Sequence, residues 1–434
     1  MKKTASVLLC VLALTGCGYR APLHKSYIPV VTDTTLYSGV RADYQQLAAL
    51  MEKDTGMKPV EGNTVTMVFE GQDNLDHMIK DLQAAETSVY MEPYRFRLDS
   101  VGNILAGILQ EKSQAGVDVR LILDKAANRK EDIQQLKKML KGSTQVHVFH
   151  LPGFYIDRKI PHLATHRNHR KLLILDGHTA YVGSRNIQTK YFFDWQDADI
   201  RVTGPVVADL TEAFHGNQRN IGIHKRPLYV APDLEERARR DTVPGLKQFF
   251  DVPIQVVPEY PSDHRLPTRN CLEWTLAHAK EYFWYYNPYS PPPESTIQAL
   301  KDAARRGVDV RWIAPSITDV GPERGIAESM YPGLLEAGVR IFEWQGHMMH
   351  AKQYLCDNYL TFIGSSNMDN LSLFLNYELL NVIYDERICR DATDTFLENL
   401  SAHCREVTLE EVRGWSKFRR LRNWFMRLLG GAMA

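Results

Sequence analysis

Six residues recur in this 434-residue chain at identical spacing: His169, Lys171, Asp176, Gly183, Ser184 and Asn186, and again His350, Lys352, Asp357, Gly364, Ser365 and Asn367. Both copies read H-x-K-x4-D-x6-G-S-x-N. At average residue usage, one accidental match to six fixed positions is expected about once in ten million or more positions. Histidine near neutral pH serves as nucleophile or proton donor, and a residue two further along a strand shares its face, so each His–Lys pair points one way. Small residues and an amide beside that pair let an anion approach closely. One lysine, one histidine and one amide per copy suit a tetrahedral phosphate, and no carboxylate cluster is needed for a divalent metal. The chemistry open to these residues is metal-free phosphoryl or phosphatidyl transfer without a cofactor.

Strands must position these groups. The run Leu172 to Leu175 predicts a buried strand ending at the Asp176-Gly177 turn, and a second strand over 180–182 returns Gly183-Ser184-Arg185-Asn186 to the histidine. The second copy repeats the layout over 354–356 and 360–363, with Asp357-Asn358 at the turn. Asp176 and Asp357 belong to the motif's catalytic set, but as strand-turn residues they are expected to support the site rather than carry protons. The repeat extends further: Gly116-Val117-Asp118-Val119-Arg120 returns as Gly307-Val308-Asp309-Val310-Arg311, and Pro93-Tyr94 as Pro288-Tyr289. Each half runs strand (65–69 or 254–257), helix (75–85 or 269–279), strand to the Pro-Tyr corner, helix (102–114 or 295–306), strand. Such alternation predicts an α/β sandwich in each half. The expected domains span 61–226 and 253–411, joined by a proline-containing linker over 227–252 and preceded by a linker over 17–60. Halves related by a pseudo-twofold axis would bring both histidines to one seam, so a monomer suffices for a complete site, and the oligomeric state stays open.

These residues resemble the phospholipase D superfamily, whose members build one active site from two such motifs; all twelve motif positions match. A finer resemblance, to bacterial cardiolipin synthases, rests on Arg167-Asn168-His169-Arg170-Lys171, Trp195-Gln196-Asp197, Ala303 to Val310, Glu336 to Glu343 and Asn376-Tyr377-Glu378, and runs from about 65 to about 390. Phosphatidyltransferases, lipases and nucleases of the superfamily share many of these strings. The resemblance implies two α/β/α sandwich domains, His169 as the nucleophile that becomes a phosphohistidine, and His350 as the acid and base. Near-symmetry leaves that order to family precedent. It also implies that Lys171, Lys352, Asn186 and Asn367 hold the phosphate oxygens, with hydroxyl contacts from Ser184 and Ser365. Asp197 and Glu378, at matching places after the Gly-Ser strings, are expected to hydrogen-bond the imidazoles and fix their tautomers.

Lysine plus arginine equal aspartate plus glutamate at 52 each. Nucleic-acid enzymes usually carry a basic excess, so the balance weighs against DNA or RNA, although a local basic channel would not show in the sum. Lys2, Lys3, an apolar stretch over 6–14 and Leu14-Thr15-Gly16-Cys17 resemble a bacterial lipoprotein signal. The expectation is removal of residues 1–16, acylation of Cys17, and anchoring to the outer, periplasmic face of a bacterial membrane, with Gly18 compatible with the outer membrane; an ordinary secretory peptide is the alternative. Cys271, Cys356, Cys389 and Cys404 match no zinc pattern, and Cys389 and Cys404 flank a helix expected over 391–402 that is too long to let them meet, so no disulfide is expected. His162 and His166 lie four apart, but Pro161 argues for a loop at the cleft rather than a helical metal site. From 413 to 429, Trp415, Phe418, Leu421, Phe425 and Leu428 fall at helical spacing opposite Arg413, Lys417, Arg420 and Arg427, which predicts a basic amphipathic helix for an anionic membrane surface, with packing on the second domain as the alternative.

The preferred reading is transfer of a phosphatidyl group between two phosphatidylglycerols, giving cardiolipin and glycerol. A phospholipase D-type hydrolase and, less favoured, an exported nuclease would share the first half-reaction.

Overall fold

The computed structural model describes residues 37–140, 145–150, 156–157, 160–161, 166–223, 228–263 and 265–433. The signal segment, Cys17 and His162 lie outside them. The first half contributes strands β1 (Val60–Val68), β2 (Ser88–Pro93), β3 (Asp118–Asp124), β4 (Gln145–Phe149), β5 (Lys171–Leu175), β6 (Thr179–Gly183) and β7 (Asp199–Thr203). The second contributes β8 (Gln248–Glu259), β9 (Tyr282–Tyr286), β10 (Asp309–Pro315), β11 (Arg340–Trp344), β12 (Gln353–Cys356), β13 (Leu360–Gly364), β14 (Glu378–Tyr384) and β15 (Cys404–Val407).

All fifteen join one sheet whose centre is the antiparallel pair β1–β8. Outward from that pair the order is β7-β6-β5-β2-β3-β4 on one side and β14-β13-β12-β9-β10-β11-β15 on the other. Each strand of the first half thus has a counterpart at the matching place on the other side of the centre, which is the pseudo-twofold relation; β15 alone has no counterpart. On one face the helices cover two separate cores. Gly71–Ala84 and Ser100–Gln114 close the first, and Pro267–His278 and Glu294–Arg305 close the second. On the other face Val206–Asn220 and Glu386–His403 cover a single core that runs through both halves, from Val65 and Phe214 to Ile388 and Phe396. Burying apolar residues on both sides accounts for the near-continuous hydrophobic runs of the central strands.

Two expected linkers prove to be structure. Within 17–60, residues Gln45–Thr55 form a helix whose Leu47, Ala48 and Met51 are buried in the second core, far along the chain from the half they adjoin. Within 227–252, Leu234–Arg240 is a helix, and β8 begins at Gln248 with Phe249 paired to Val65. The prolines mark a change of periodicity there but not a break in the sheet. The helix expected over 391–402 begins at Glu386, capped by the Asp385 carboxylate, so Cys389 lies on it rather than before it; all four described cysteines are free.

Asp176 and Asp357 take left-handed backbone, with φ of 49° and 51°. The Asp176 carboxylate accepts from the N–H groups of Glu86, Thr87 and Ser88 at 2.7 to 2.9 Å. Asp357 does the same for Lys280, Glu281 and Tyr282 at 2.8 to 2.9 Å. Each aspartate therefore ties its hairpin to the entry of the neighbouring antiparallel strand, β2 or β9, as a brace at a distance from the imidazoles.

Arg170 locks the halves together. It is fully buried, stacks on Tyr260, and donates to the carbonyls of Glu378 (2.9 Å), Ala213 (2.8 Å) and Glu259 (3.2 Å). Its place in the second copy is taken by Ala351, so the lock is one-sided. Arg170→Met removes three buried charge-assisted hydrogen bonds and is expected to lower stability by about 3–5 kcal/mol in denaturant unfolding; a loss below about 1 kcal/mol would show that water replaces the guanidinium at no cost.

Candidate active site

The two motifs converge where β5 and β12 enter the seam between halves. Backbone bonds stitch that seam reciprocally. The His169 N–H donates to the Tyr377 carbonyl (2.9 Å), and the Tyr377 N–H to that of Arg167 (2.8 Å). The His350 N–H donates to the Gln196 carbonyl (2.7 Å), and the Gln196 N–H to that of Met348 (2.9 Å). Each histidine is thereby held against the segment that follows the other half's Gly-Ser string.

The carboxylates cross in the same way. His169 Nδ1 donates to Glu378 Oε1 and His350 Nδ1 to Asp197 Oδ1, each at 2.8 Å. Asp197 and Glu378 each hydrogen-bond one imidazole, and each half's carboxylate meets the other half's histidine, a pairing that symmetric spacing leaves undefined. Burial tends to raise both acids, yet the imidazole beside each, aided by Arg185 and Lys352 for Asp197 and by Lys171 for Glu378, keeps them ionised, with Asp197 held down at about 2. Burial drives the imidazoles the other way. His169 falls to about 4 and His350 to about 3, the latter lowered further by Lys352. Both are therefore neutral at pH 7 with Nδ1 protonated, which leaves the lone pair on each Nε2.

The lysines lie under tyrosines that sequence reasoning had noted only as part of the repeat. Lys171 Nζ sits 5.0 Å from the Tyr94 ring centre and Lys352 Nζ 5.9 Å from that of Tyr289, and these rings stand edge-on to His169 and His350 at 4.6 and 5.8 Å. Both ammonium groups donate to the carbonyl of their own histidine. Burial pushes both lysines down, Lys352 to about 8, so an anion placed between them would favour their charged forms. Lys352 Nζ also lies 3.1 Å from His350 Nε2; among the described residues no protein group bonds His169 Nε2. Asn186 and Asn367 are buried, and among the described residues Asn367 Oδ1 has no hydrogen-bond partner.

Two expected roles change. Ser184 Oγ donates to Asp197 Oδ1 (2.6 Å) and Ser365 Oγ to Glu378 Oε2, and both serines are fully buried. Their hydroxyls are spent on the histidine-orienting carboxylates rather than on a phosphate. The motif glycines likewise serve the sheet: a Cβ on Gly183 would stand 2.2 Å from Asp199 Oδ1, and one on Gly364 2.1 Å from the Leu379 carbonyl. His166 donates its Nδ1 proton to the Leu375 carbonyl at 2.6 Å in a non-helical segment. Among the described residues no cluster of three histidine, cysteine or carboxylate groups could hold a metal.

Two histidines buried neutral make stability depend on pH. Their folded values lie below the ordinary 6.5, so the unfolded chain binds more protons between pH 6.5 and about 4. Stability is therefore expected to be full above pH 6.5 and to fall as pH drops, by on the order of 3 kcal/mol per histidine at pH 4. Calorimetry of His169→Gln/His350→Gln should show a flatter pH slope; an unchanged slope would assign acid sensitivity to other groups.

Two α/β/α halves sharing one site of two histidines and two lysines define a phospholipase D-like protein. The family model described as "Cardiolipin synthase, PLD-like domain" matches residues 78–217 and 272–400, and the chain belongs to that family. It is 28% identical over 405 residues to a cardiolipin synthase of Clostridium perfringens, covering 90% of this chain and 81% of that protein. It is 29% identical over 430 residues to cardiolipin synthase A of Pseudomonas fluorescens, covering 96% and 82%. Among solved structures, the phosphatidylserine synthase of Haemophilus influenzae superposes with a TM-score of 0.64 at 13% identity, covering 89% of this chain and 99% of that one. The polyphosphate kinase of Porphyromonas gingivalis gives 0.54 at 12% identity, covering 80% and 49%. At those identities the likeness is one of fold.

Proposed function

We propose that the protein moves a phosphatidyl group from one phosphatidylglycerol to another, forming cardiolipin and glycerol through a phosphohistidine. The observation that carries this reading is the crossed pair of carboxylate–imidazole contacts, which prepares two neutral histidines at one seam. His169 Nε2 attacks phosphorus, and the bond to the glycerol oxygen breaks as His350, protonated beside the bound anion, gives that oxygen its proton. His350 then takes the proton of the incoming hydroxyl, which attacks phosphorus and releases His169. The Nε2 of His169, without a hydrogen-bond partner among the described residues, against the Lys352 contact on that of His350, supports this order. Lys171, Lys352 and the amides of Asn186 and Asn367 would stabilise the charge that develops on phosphate oxygens. The lipid acceptor is supported by similarity to named cardiolipin synthases over four-fifths of their length and by the neutral net charge. The Leu14-to-Cys17 string supports an acylated, membrane-anchored form at the outer face; Cys17→Ser should abolish acylation, read by mass spectrometry as loss of the acyl chains from the N-terminus.

The deciding experiment is incubation of the purified protein with phosphatidylglycerol, with and without chelator, read by lipid mass spectrometry. Cardiolipin and glycerol, unaffected by chelator, are expected. Phosphatidic acid alone would replace the transferase with the hydrolase, and no lipid turnover would overturn both.

A further inference from the structure

The C-terminal helix Lys417–Met433 is docked inside out. Its polar side faces the protein: Arg419 and Arg422 pair with Glu328 at 2.8 and 3.0 Å, and Asn423 donates to the same carboxylate at 2.8 Å. Glu328 and Asn423 are buried, and Met426 lies against Gly325. Trp415, expected on the apolar stripe, is instead buried beside Tyr331 ahead of the helix. The stripe itself points to solvent, with Phe418 78%, Leu421 63%, Trp424 56% and Phe425 51% exposed. A surface helix of a globular protein normally buries its apolar stripe and leaves cations outside. Here four large apolar groups are exposed in a segment where no acidic residue follows Glu411, and Lys417 and Arg420 have no acidic partner among the described residues.

A second apolar patch lies at the mouth of the site. Ile317 and Val320, in the loop 316–322, are 52% and 41% exposed. Between them Asp319 accepts from the Tyr289 hydroxyl at 2.6 Å and lies 3.8 Å from Lys190 Nζ. Tyr289 flanks His350 and Lys352, and Lys190 stacks on Trp195, whose ring centre is 5.4 Å from that of His350. One residue joins the two patches: Arg324 donates to the Ser316 carbonyl of the loop and, at 2.9 Å, to Glu328, the carboxylate that holds the helix.

We propose that Phe418, Leu421, Trp424 and Phe425, together with Ile317 and Val320, form one docking surface for the interface of an anionic phospholipid bilayer, which turns the mouth of the site toward the membrane. Exposed aromatic side chains beside cations that lack an acidic partner are the composition that inserts at such an interface, and Arg324 ties the loop at the mouth to the carboxylate that seats the helix. The inference rests on the phospholipid reading of the site. It is tested with the full chain carrying Cys17→Ser, so that no lipid anchor dominates binding, with or without Phe418→Ser/Leu421→Ser/Trp424→Ser/Phe425→Ser. Sedimentation with vesicles of phosphatidylglycerol and phosphatidylcholine should fall tenfold or more in the variant, on the order expected for losing four interfacial side chains. Turnover of vesicle phosphatidylglycerol should fall with it, while turnover of monomeric short-chain phosphatidylglycerol stays unchanged. Ile317→Ser/Val320→Ser should show the same split more weakly. Unchanged vesicle binding, equal loss on the short-chain lipid, or a shift from dimer to monomer in sedimentation velocity would overturn the proposal. If the parent chain binds vesicles through this face but turns over neither lipid, the proposed reaction fails and the docking surface stands.

Discussion

His169→Ala and His350→Ala are each expected to lower turnover of phosphatidylglycerol by about 10³-fold or more, and to do so at different steps. Without His169 no phosphorus bond can form to the protein, so labelled substrate should leave no acid-labile, base-stable label on the chain. Without His350 attack can still occur, driven by Lys171 and Lys352 on the phosphate, but the second half-reaction loses its base and label accumulates. The structural ground is the environment of the two Nε2 atoms: among the described residues that of His169 has no hydrogen-bond partner, and that of His350 already faces Lys352 at 3.1 Å. Label trapped in His169→Ala and absent from His350→Ala would reverse the roles.

The second large effect is expected at the carboxylates and follows the crossed geometry. Glu378→Gln should behave as a lesion of His169 and Asp197→Asn as a lesion of His350, although each carboxylate belongs to the opposite half. An amide cannot hold an anionic acceptor against Nδ1–H, so the imidazole loses its preferred tautomer, with a cost of about 10²–10⁴ in kcat. Glu378→Gln should therefore suppress phosphoenzyme formation, whereas Asp197→Asn should allow it and slow its consumption. Double variants sharpen the point: Glu378→Gln should add little to His169→Ala and much more to His350→Ala, because only groups acting as a unit are non-additive. The opposite pattern would mean that each carboxylate serves its own half.

Much of this frame was legible beforehand because it is local. The run Leu172 to Leu175 became β5 and the returning strand became β6, and the Asp176 and Asp357 turns were placed correctly because left-handed backbone between two apolar runs leaves a clear signature. The repeat announced two like halves, and the mirrored strand order is its physical expression. Other readings failed where the deciding contact is remote. Ser184 and Ser365 looked like phosphate ligands because small hydroxyls in a turn beside a histidine suit an anion; only the position of Asp197 and Glu378 reveals that those hydroxyls are already engaged. The prolines around 227–252 suggest a linker, yet β8 pairs with β1 and carries the sheet across. The apolar stripe of the C-terminal helix was visible as a period, but which side would face the protein depended on the single buried carboxylate of Glu328.

By itself the sequence determined the chemical inventory and its duplication: two histidines, two lysines and two amides, each delivered by a hairpin whose alternation puts His and Lys on one face. Tertiary structure alone decided the pairing of carboxylates with imidazoles, since the partners lie 209 and 153 residues apart and symmetric spacing permits either arrangement. It also decided the protonation of the site, because burial, which is a property of the packed seam, outweighs the intrinsic affinity of an imidazole for a proton.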